Sequence, residues 1–180
     1  MVNMNDKIIL ASASPRRREL LSLITTDFEV ITADVDETTD ENETAENTVM
    51  LLSSKKAKAV SSLYKGRTVI GADTVVVCDG KILGKPASRE NAKEMLRMLS
   101  GRTHQVLTGV TITNGEKSET FYVSSDVAFF DLTDEEISAY AERKRLISSK
   151  VVLKNVGEGD NFSPSWVVSI TNDLVVGVVG

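Results

Sequence analysis

The sequence predicts an α/β fold with a mixed sheet flanked by helices. Short β-branched runs alternate with stretches whose apolar residues recur at helical spacing. Two turn pairs, Asp79-Gly80 and Asn114-Gly115, fold neighbouring strands into hairpins. No repeat or low-complexity linker interrupts the 180 residues, so 1–180 reads as one α/β domain.

The elements follow in order. Lys7 to Ala11 is a short buried strand that runs into a helix with Ser14 as N-cap and Pro15 as first helical residue. Phe28 to Ala33 is a second strand. Asp36 to Glu46, with six acids among Thr and Asn, is a loop leading into a helix start. From Glu46 to Leu63, the residues Val49, Leu52, Ala59, Val60 and Leu63 form one apolar stripe, with Lys56 in its middle. Lys55 and Lys58 project to the side and back, where lysines are solvated. Thr68 to Cys78 is a β-rich run, and Lys81 to Leu83 returns from it after the Asp79-Gly80 turn. A helix spans Ser88 to Leu99, capped by Ser88 and Gly101. Gln105 to Thr113 and Glu119 to Phe130 are two long strands, and Thr133-Asp134-Glu135-Glu136 opens a further helix with a capping box. Beyond Glu142 the periodicity fades into a Val, Gly and Asn mixture read as β.

Composition excludes several classes of function. With 41% hydrophobic and 26% charged residues the chain has the make-up of a soluble globular protein. No apolar run approaches the roughly 18 residues that span a bilayer. The opening MVNMNDK lacks the apolar core of a signal peptide, which makes the cytoplasm the expected compartment. The net charge of −5 gives no global basic field, so nucleic acid is not an expected partner and any anion must be held by a local cluster. Cys78 and His104 are each the sole residue of their type, which excludes an internal disulfide and the usual Cys/His zinc sites. A metal here would be oxygen-ligated and hard, such as Mg²⁺.

Four features carry candidate chemistry. Ser12-Ala13-Ser14-Pro15-Arg16-Arg17 sits at a strand-to-helix junction, where free N–H groups and the helix dipole favour an anion and the guanidiniums add charge-assisted donors. The competing reading is a helix start with solvated arginines. Asp73 lies in a strand that should be buried, so it is either paired or functional. Gly71 and Ala72 before it remove bulk and would let a ligand or metal approach the backbone. Lys56, a charge in the middle of an inward stripe, needs explaining. Lys85 in Gly84-Lys85-Pro86 and Glu37 at the head of the acidic stretch read, taken alone, as loop residues, and the Gly80 to Lys85 stretch is not a P-loop. His104 has no Ser or Cys partner nearby in sequence and receives no role. Together these point to a phosphorylated small molecule handled by metal-assisted hydrolysis.

The blocks Leu10-Ala-Ser-Ala-Ser-Pro-Arg-Arg-Arg-Glu-Leu-Leu21, Val35-Asp-Glu37, Lys56-Ala-Lys-Ala59, Gly71-Ala-Asp-Thr-Val75, Gly84-Lys-Pro86, Met95-Leu-Arg-Met-Leu-Ser-Gly101 and Asp126-Val-Ala-Phe129 occur in this order. Over residues 7 to 141 the chain resembles the Maf family of nucleoside triphosphate pyrophosphatases, also called septum formation inhibitor proteins. The resemblance implies an elongated, Maf/ITPase-like mixed sheet with flanking helices and a central substrate groove. It implies cleavage of a nucleoside triphosphate between the α and β phosphates with a divalent cation, Mg²⁺ or Mn²⁺. Asp73 falls on the position of the proposed general base. Ser12, Ser14, Arg16, Arg17, Lys56 and Lys85 fall in phosphate-binding blocks, and Glu37 on an acidic position near the metal, where Asp73 also lies. Arg16 together with Thr74 resembles the branch that acts on dTTP and UTP.

The resemblance stops near residue 142. Family members continue with Glu-Pro-x-Asp-Lys-Ala-Gly and Tyr-Gly-Ile-Gln-Gly blocks and a closing helix, whereas this chain reads Glu142-Arg-Lys-Arg-Leu-Ile-Ser-Ser149 and Lys154-Asn-Val-Gly-Glu158. Residues 142–180 are therefore an atypical segment, either an authentic divergent C-terminus or the product of a frameshift. Without the closing helix, a second copy of the chain would cover the apolar surface left behind. The missing blocks also motivate an alternative function, a catalytically impaired nucleotide-binding regulator of septum formation or cell division.

Overall fold

The computed structural model describes residues 7–40, 42–84, 86–142, 151–156, 167–170 and 176–179. Its main sheet is mixed, with strand order β2-β1-β3-β5-β6-β7 and β4 paired onto β3; β8 and β9 form a separate two-stranded sheet. The chain packs as two compact units, Met1–Asp73 with Thr108–Tyr122 and Thr74–Leu107 with Val123–Gly180.

The first unit opens with β1 (Ile8–Ala11), α1 (Pro15–Ser22) and β2 (Phe28–Val30). β1 runs parallel to both neighbours, with Ile9 opposite Glu29 on one side and Val69 on the other. β2 ends three residues earlier than the sequence suggests; Ile31 and Ala33 nevertheless pack against the core of Ile9, Ala11, Ala57, Val60 and Val69.

Helix α2 (Ala45–Leu63) starts where the Thr44 hydroxyl accepts the Asn47 N–H at 3.2 Å. Val49, Leu52 and Val60 are buried as expected, but Leu63 is 74% exposed. The buried face is rotated toward the small residues Ser53, Ala57 and Ser61. Two glycines explain the rotation. A Cβ built at Gly71 would lie 2.5 Å from the Ser53 carbonyl oxygen and 2.7 Å from the Ala57 nitrogen, and one at Gly109 would overlap the Val49 carbonyl. These glycines let α2 lie directly on the strands. The space expected at Gly71 for a ligand is taken by the helix. Ser53 Oγ also meets Thr111 Oγ1 at 3.0 Å, and Thr111 Oγ1 meets Thr120 Oγ1 at 2.9 Å, so hydroxyls tie α2 to β5 (Thr103–Thr113) and β6 (Ser118–Phe129).

The connection from β5 to β6 is wider than a two-residue turn. Asn114 N–H donates to the Lys117 carbonyl at 3.2 Å while its side-chain oxygen accepts the Lys117 N–H at 2.8 Å. Gly115 has φ +89°, whereas Asn114 stays at negative φ, so the tight turn expected there does not form.

The second unit is held by apolar packing. β3 (Val69–Cys78) and β4 (Lys81–Leu83) join through Asp79 at φ 51° and Gly80 at φ 73°, a type I′ turn. α3 (Arg89–Leu99) is capped by Ser88, whose hydroxyl accepts the Asn91 N–H at 3.1 Å, and ends before Gly101 at φ +66°. α4 (Asp134–Ala141) carries the predicted capping box between Thr133 and Glu136. Val76, Cys78, Leu96, Leu99, Val106, Val127, Phe129 and Ile137 form the core. In the atypical segment, β7 (Val151–Val156) pairs antiparallel with β6, and β8 (Val167–Ile170) with β9 (Val176–Val179). Residues 143–150 and 157–158, where the expected departure from the resemblance is concentrated, lie outside the described residues. No described helix is long and apolar enough to cross a membrane.

Candidate active site

Register brings the site together. Ala11 of β1 lies opposite Gly71 of β3 in a parallel pair, so Ser12 follows the end of β1 beside the strand that carries Asp73. Side chains two apart on a strand share a face. Asp73 therefore points to the side of Gly71, the side on which α2 lies, and Lys56 is the residue of α2 that meets it.

Lys56 Nζ donates to Asp73 Oδ1 at 2.5 Å and to Glu37 Oε1 at 2.8 Å. The Lys56 and Asp73 side chains are only 17% and 13% exposed, whereas Glu37 is 51% exposed. The ammonium thus closes a wedge with a buried and a solvent-facing carboxylate. Burial disfavours the Lys56 charge, but the hydrogen bonds it donates to Asp73 and then Glu37 outweigh it and hold the lysine above its ordinary value. Lys56 is a cation throughout the neutral range.

At the start of α1, Arg17 donates to Ser12 Oγ at 3.0 Å and the Ser14 N–H donates to the same oxygen at 3.3 Å. Ser12 is buried. Ser14 occupies the N-cap with extended backbone, but its side chain makes no cap hydrogen bond. The capping bond expected of that side chain does not form. Arg16 pairs with Glu19 one turn on, at 2.7 Å. An N-terminus with neighbouring guanidiniums can receive phosphate oxygens.

Ser12, Ser14, Arg16, Arg17, Glu37, Lys56 and Asp73 all belong to the first unit. Thr74, the next residue of β3, is the first residue of the second unit and is partly exposed. Lys85 lies outside the described residues. His104 is buried in the second unit, its ring edge-on to Phe129 at 5.0 Å, and neither ring nitrogen has a hydrogen-bond partner among the described residues. No Ser-His-Asp relay runs through it.

Two residues of consequence escaped the sequence reading. Lys55, expected in solvent, donates to the carbonyls of Asp36 and Thr38 at 3.1 and 3.2 Å. Ser53, on the turn before Lys56, fixes the rotation of α2 through Thr111. Acceptors on a distant loop backbone have no signature in sequence; a serine on a buried helical face is the only hint of the second.

Among the described residues no group of three or more His, Cys, Asp or Glu gathers to hold a metal ion. Two carboxylate oxygens, of Glu37 and Asp73, do converge on the Lys56 ammonium. A pair of hard oxygen donors fits Mg²⁺ or Mn²⁺, which commonly take one or two carboxylates and complete their shell with water and substrate phosphates.

A buried carboxylate and lysine beside a cationic helix start, on a parallel strand pair, define a class of α/β protein equipped for phosphorylated ligands. The chain belongs to the Maf-like protein family, which matches residues 7–151. It is 46% identical over 156 residues to the dTTP/UTP pyrophosphatase of Bacillus mycoides (strain KBAB4), covering 87% of this chain and 82% of that protein. It is 44% identical, at the same coverage, to the dTTP/UTP pyrophosphatase of Bacillus cereus (strain G9842). The solved Ham1 protein of Staphylococcus aureus aligns with a TM-score of 0.47 at 18% identity, over 68% of this chain and 71% of that one.

Proposed function

We propose that the chain is a nucleoside triphosphate pyrophosphatase acting in the cytoplasm on dTTP or UTP, releasing the monophosphate and pyrophosphate. The observation that carries this reading is the Lys56 ammonium between Glu37 and Asp73, in a member of a family whose relatives are named for that activity.

The triphosphate brings several negative charges, which the site offsets in two places. Ser12, Ser14, Arg16 and Arg17 receive phosphate oxygens at the start of α1, and Lys85 adds a further cation. Lys56, charged at neutral pH, moves from its carboxylates to the incoming phosphates. Asp73 is then released to orient a water molecule and take its proton on Oδ1 as the water oxygen displaces pyrophosphate from the α–β anhydride. The proton stays on the carboxyl until solvent removes it. Glu37 and Asp73 would hold the divalent cation, which supplies neutralisation of the charge that develops on the leaving pyrophosphate. Thr74, the next residue of β3, is assigned to the choice of base on its resemblance, together with Arg16, to the branch that acts on dTTP and UTP.

The test is pyrophosphate release by the purified 180-residue chain from a panel of canonical and modified nucleoside triphosphates, with Mg²⁺ and with Mn²⁺. Release strongest with dTTP or UTP is expected. No release from any nucleotide would sink the reading.

A further inference from the structure

Glu37 sits in a stretch, residues 31–44, that has no regular secondary structure among its described residues. A carboxylate on such a segment reaches one place only if the backbone around it is restrained. Two sets of bonds restrain it. Asp36 Oδ1 accepts the Thr38 N–H at 2.9 Å and also the Thr38 hydroxyl, which closes a local turn over Glu37. Lys55 Nζ then donates to the Asp36 carbonyl at 3.1 Å and the Thr38 carbonyl at 3.2 Å. These two acceptors stand on either side of Glu37. The next residue of the helix, Lys56, takes the Glu37 carboxylate itself at 2.8 Å.

We infer that Lys55 is a positioning residue for Glu37: it pins the backbone on both sides of that acid so that the carboxylate meets Lys56 and Asp73. This rests on the proposed pyrophosphatase reading and on the part it gives Glu37. A solvated lysine would spread its three donors into water. Lys55 is half-buried and commits two of them to neighbouring carbonyls. Charge-assisted bonds of this kind are stronger than neutral ones. Adjacent lysines on one helix thus divide the work, one holding the loop and the other its side chain.

The experiment is a double-mutant cycle in the full chain: Lys55→Met, Glu37→Gln, the pair together, and Lys55→Arg. Pyrophosphate release from UTP is split into kcat and KM, and amide hydrogen exchange across residues 35–39 is followed without nucleotide. Lys55→Met is expected to lower kcat/KM about ten- to a hundred-fold, the scale of a misplaced catalytic group. Its melting temperature should stay within about 2 °C. In the Glu37→Gln background the same substitution should change kcat/KM by less than about twofold, since coupled residues are not additive. Lys55→Arg should restore most of the rate, and exchange at 36–38 should accelerate in Lys55→Met with or without Glu37→Gln.

An undiminished effect of Lys55→Met in the Glu37→Gln background, or no effect in the parent, overturns the inference. A Glu37→Gln variant as active as the parent removes the role of Glu37 and the inference with it. If the parent itself releases no pyrophosphate, the functional reading falls separately, and unchanged exchange in Lys55→Met then overturns the positioning of the loop.

Discussion

The two units bury different things. Among the described residues the first unit hides Ser12, Thr48, Ser53, Ser61, Asp73, Thr111 and Thr113 alongside its aliphatic core. The second hides Val76, Leu96, Leu99, Val106, Val127, Phe129 and Ile137, and among its described residues the one buried polar side chain is His104. Buried polar groups are costly unless paired, so the first unit retains them where hydroxyls and charges find one another: Ser53 with Thr111, Lys56 with Asp73. Among the described residues the core of the second unit is packed by dispersion and buried apolar area. The difference separates a buried polar cluster from an apolar core: substitutions at Lys56 and Asp73 should change rates, and substitutions in the apolar core of the second unit should change stability.

The sharpest way to break this division is at Asp73. Asp73→Asn keeps the shape and removes the proton acceptor, so pyrophosphate release should fall about 10²- to 10⁴-fold. Circular dichroism and the melting curve should remain close to those of the parent. A variant that keeps more than about a tenth of the rate would show that Asp73 is not the base. The mirror experiment is Leu96→Ala, which empties a fully buried position in the core of the second unit. It should cost about 3 kcal/mol, or roughly 10 °C in melting temperature, while kcat per folded molecule changes less than twofold. A large fall in kcat at 15 °C, where the variant is folded, would contradict the separation.

What sequence could show depended on how few physical outcomes a residue has. Lys56 and Asp73 were legible as residues to be explained because a charge on an apolar stripe or inside a strand is costly; that they meet each other was not. The Asp79-Gly80 hairpin was legible because few residues tolerate two successive positive φ angles. Lys55 was not, since its acceptors are backbone carbonyls, which every residue possesses. Gly71 was legible as a close approach but not as to what approaches. A ligand and a helix leave the same mark on a sequence.

That ambiguity makes Gly71 the test of how the fold sets the site. An added Cβ would press on the Ser53 carbonyl and the Ala57 backbone of α2, neither of which is a flexible side-chain end. Gly71→Ala should therefore push the helix away, with a loss of about 3 kcal/mol, the upper part of the range for overpacking. Because Lys56 neighbours Ala57, kcat/KM should fall as well, linking stability to rate in the first unit where Leu96→Ala separates them in the second. Unchanged kinetics in a destabilised Gly71→Ala would mean that the helix can shift without moving Lys56.

The smallest effect appears only in acid and belongs to His104. Burial pushes its pKa down from 6.5 to about 4, and neither nitrogen has a partner among the described residues to offset the loss of water. The folded chain therefore keeps the ring neutral where the unfolded chain would protonate it. Between pH 6.5 and 4 the unfolded state binds the extra proton, so stability falls as pH falls across this window and is unaffected above it. At pH 5 the loss should be about 2 kcal/mol, or roughly 6 °C in melting temperature relative to pH 7.5. His104→Phe, which leaves nothing to titrate beside Phe129, should remove most of that slope. Melting curves of the two chains at pH 7.5, 6 and 5 decide it. A parent whose stability stays level down to pH 5 would show that the second unit houses this imidazole without penalty, and the contrast between a polar and an apolar interior would lose its one exception.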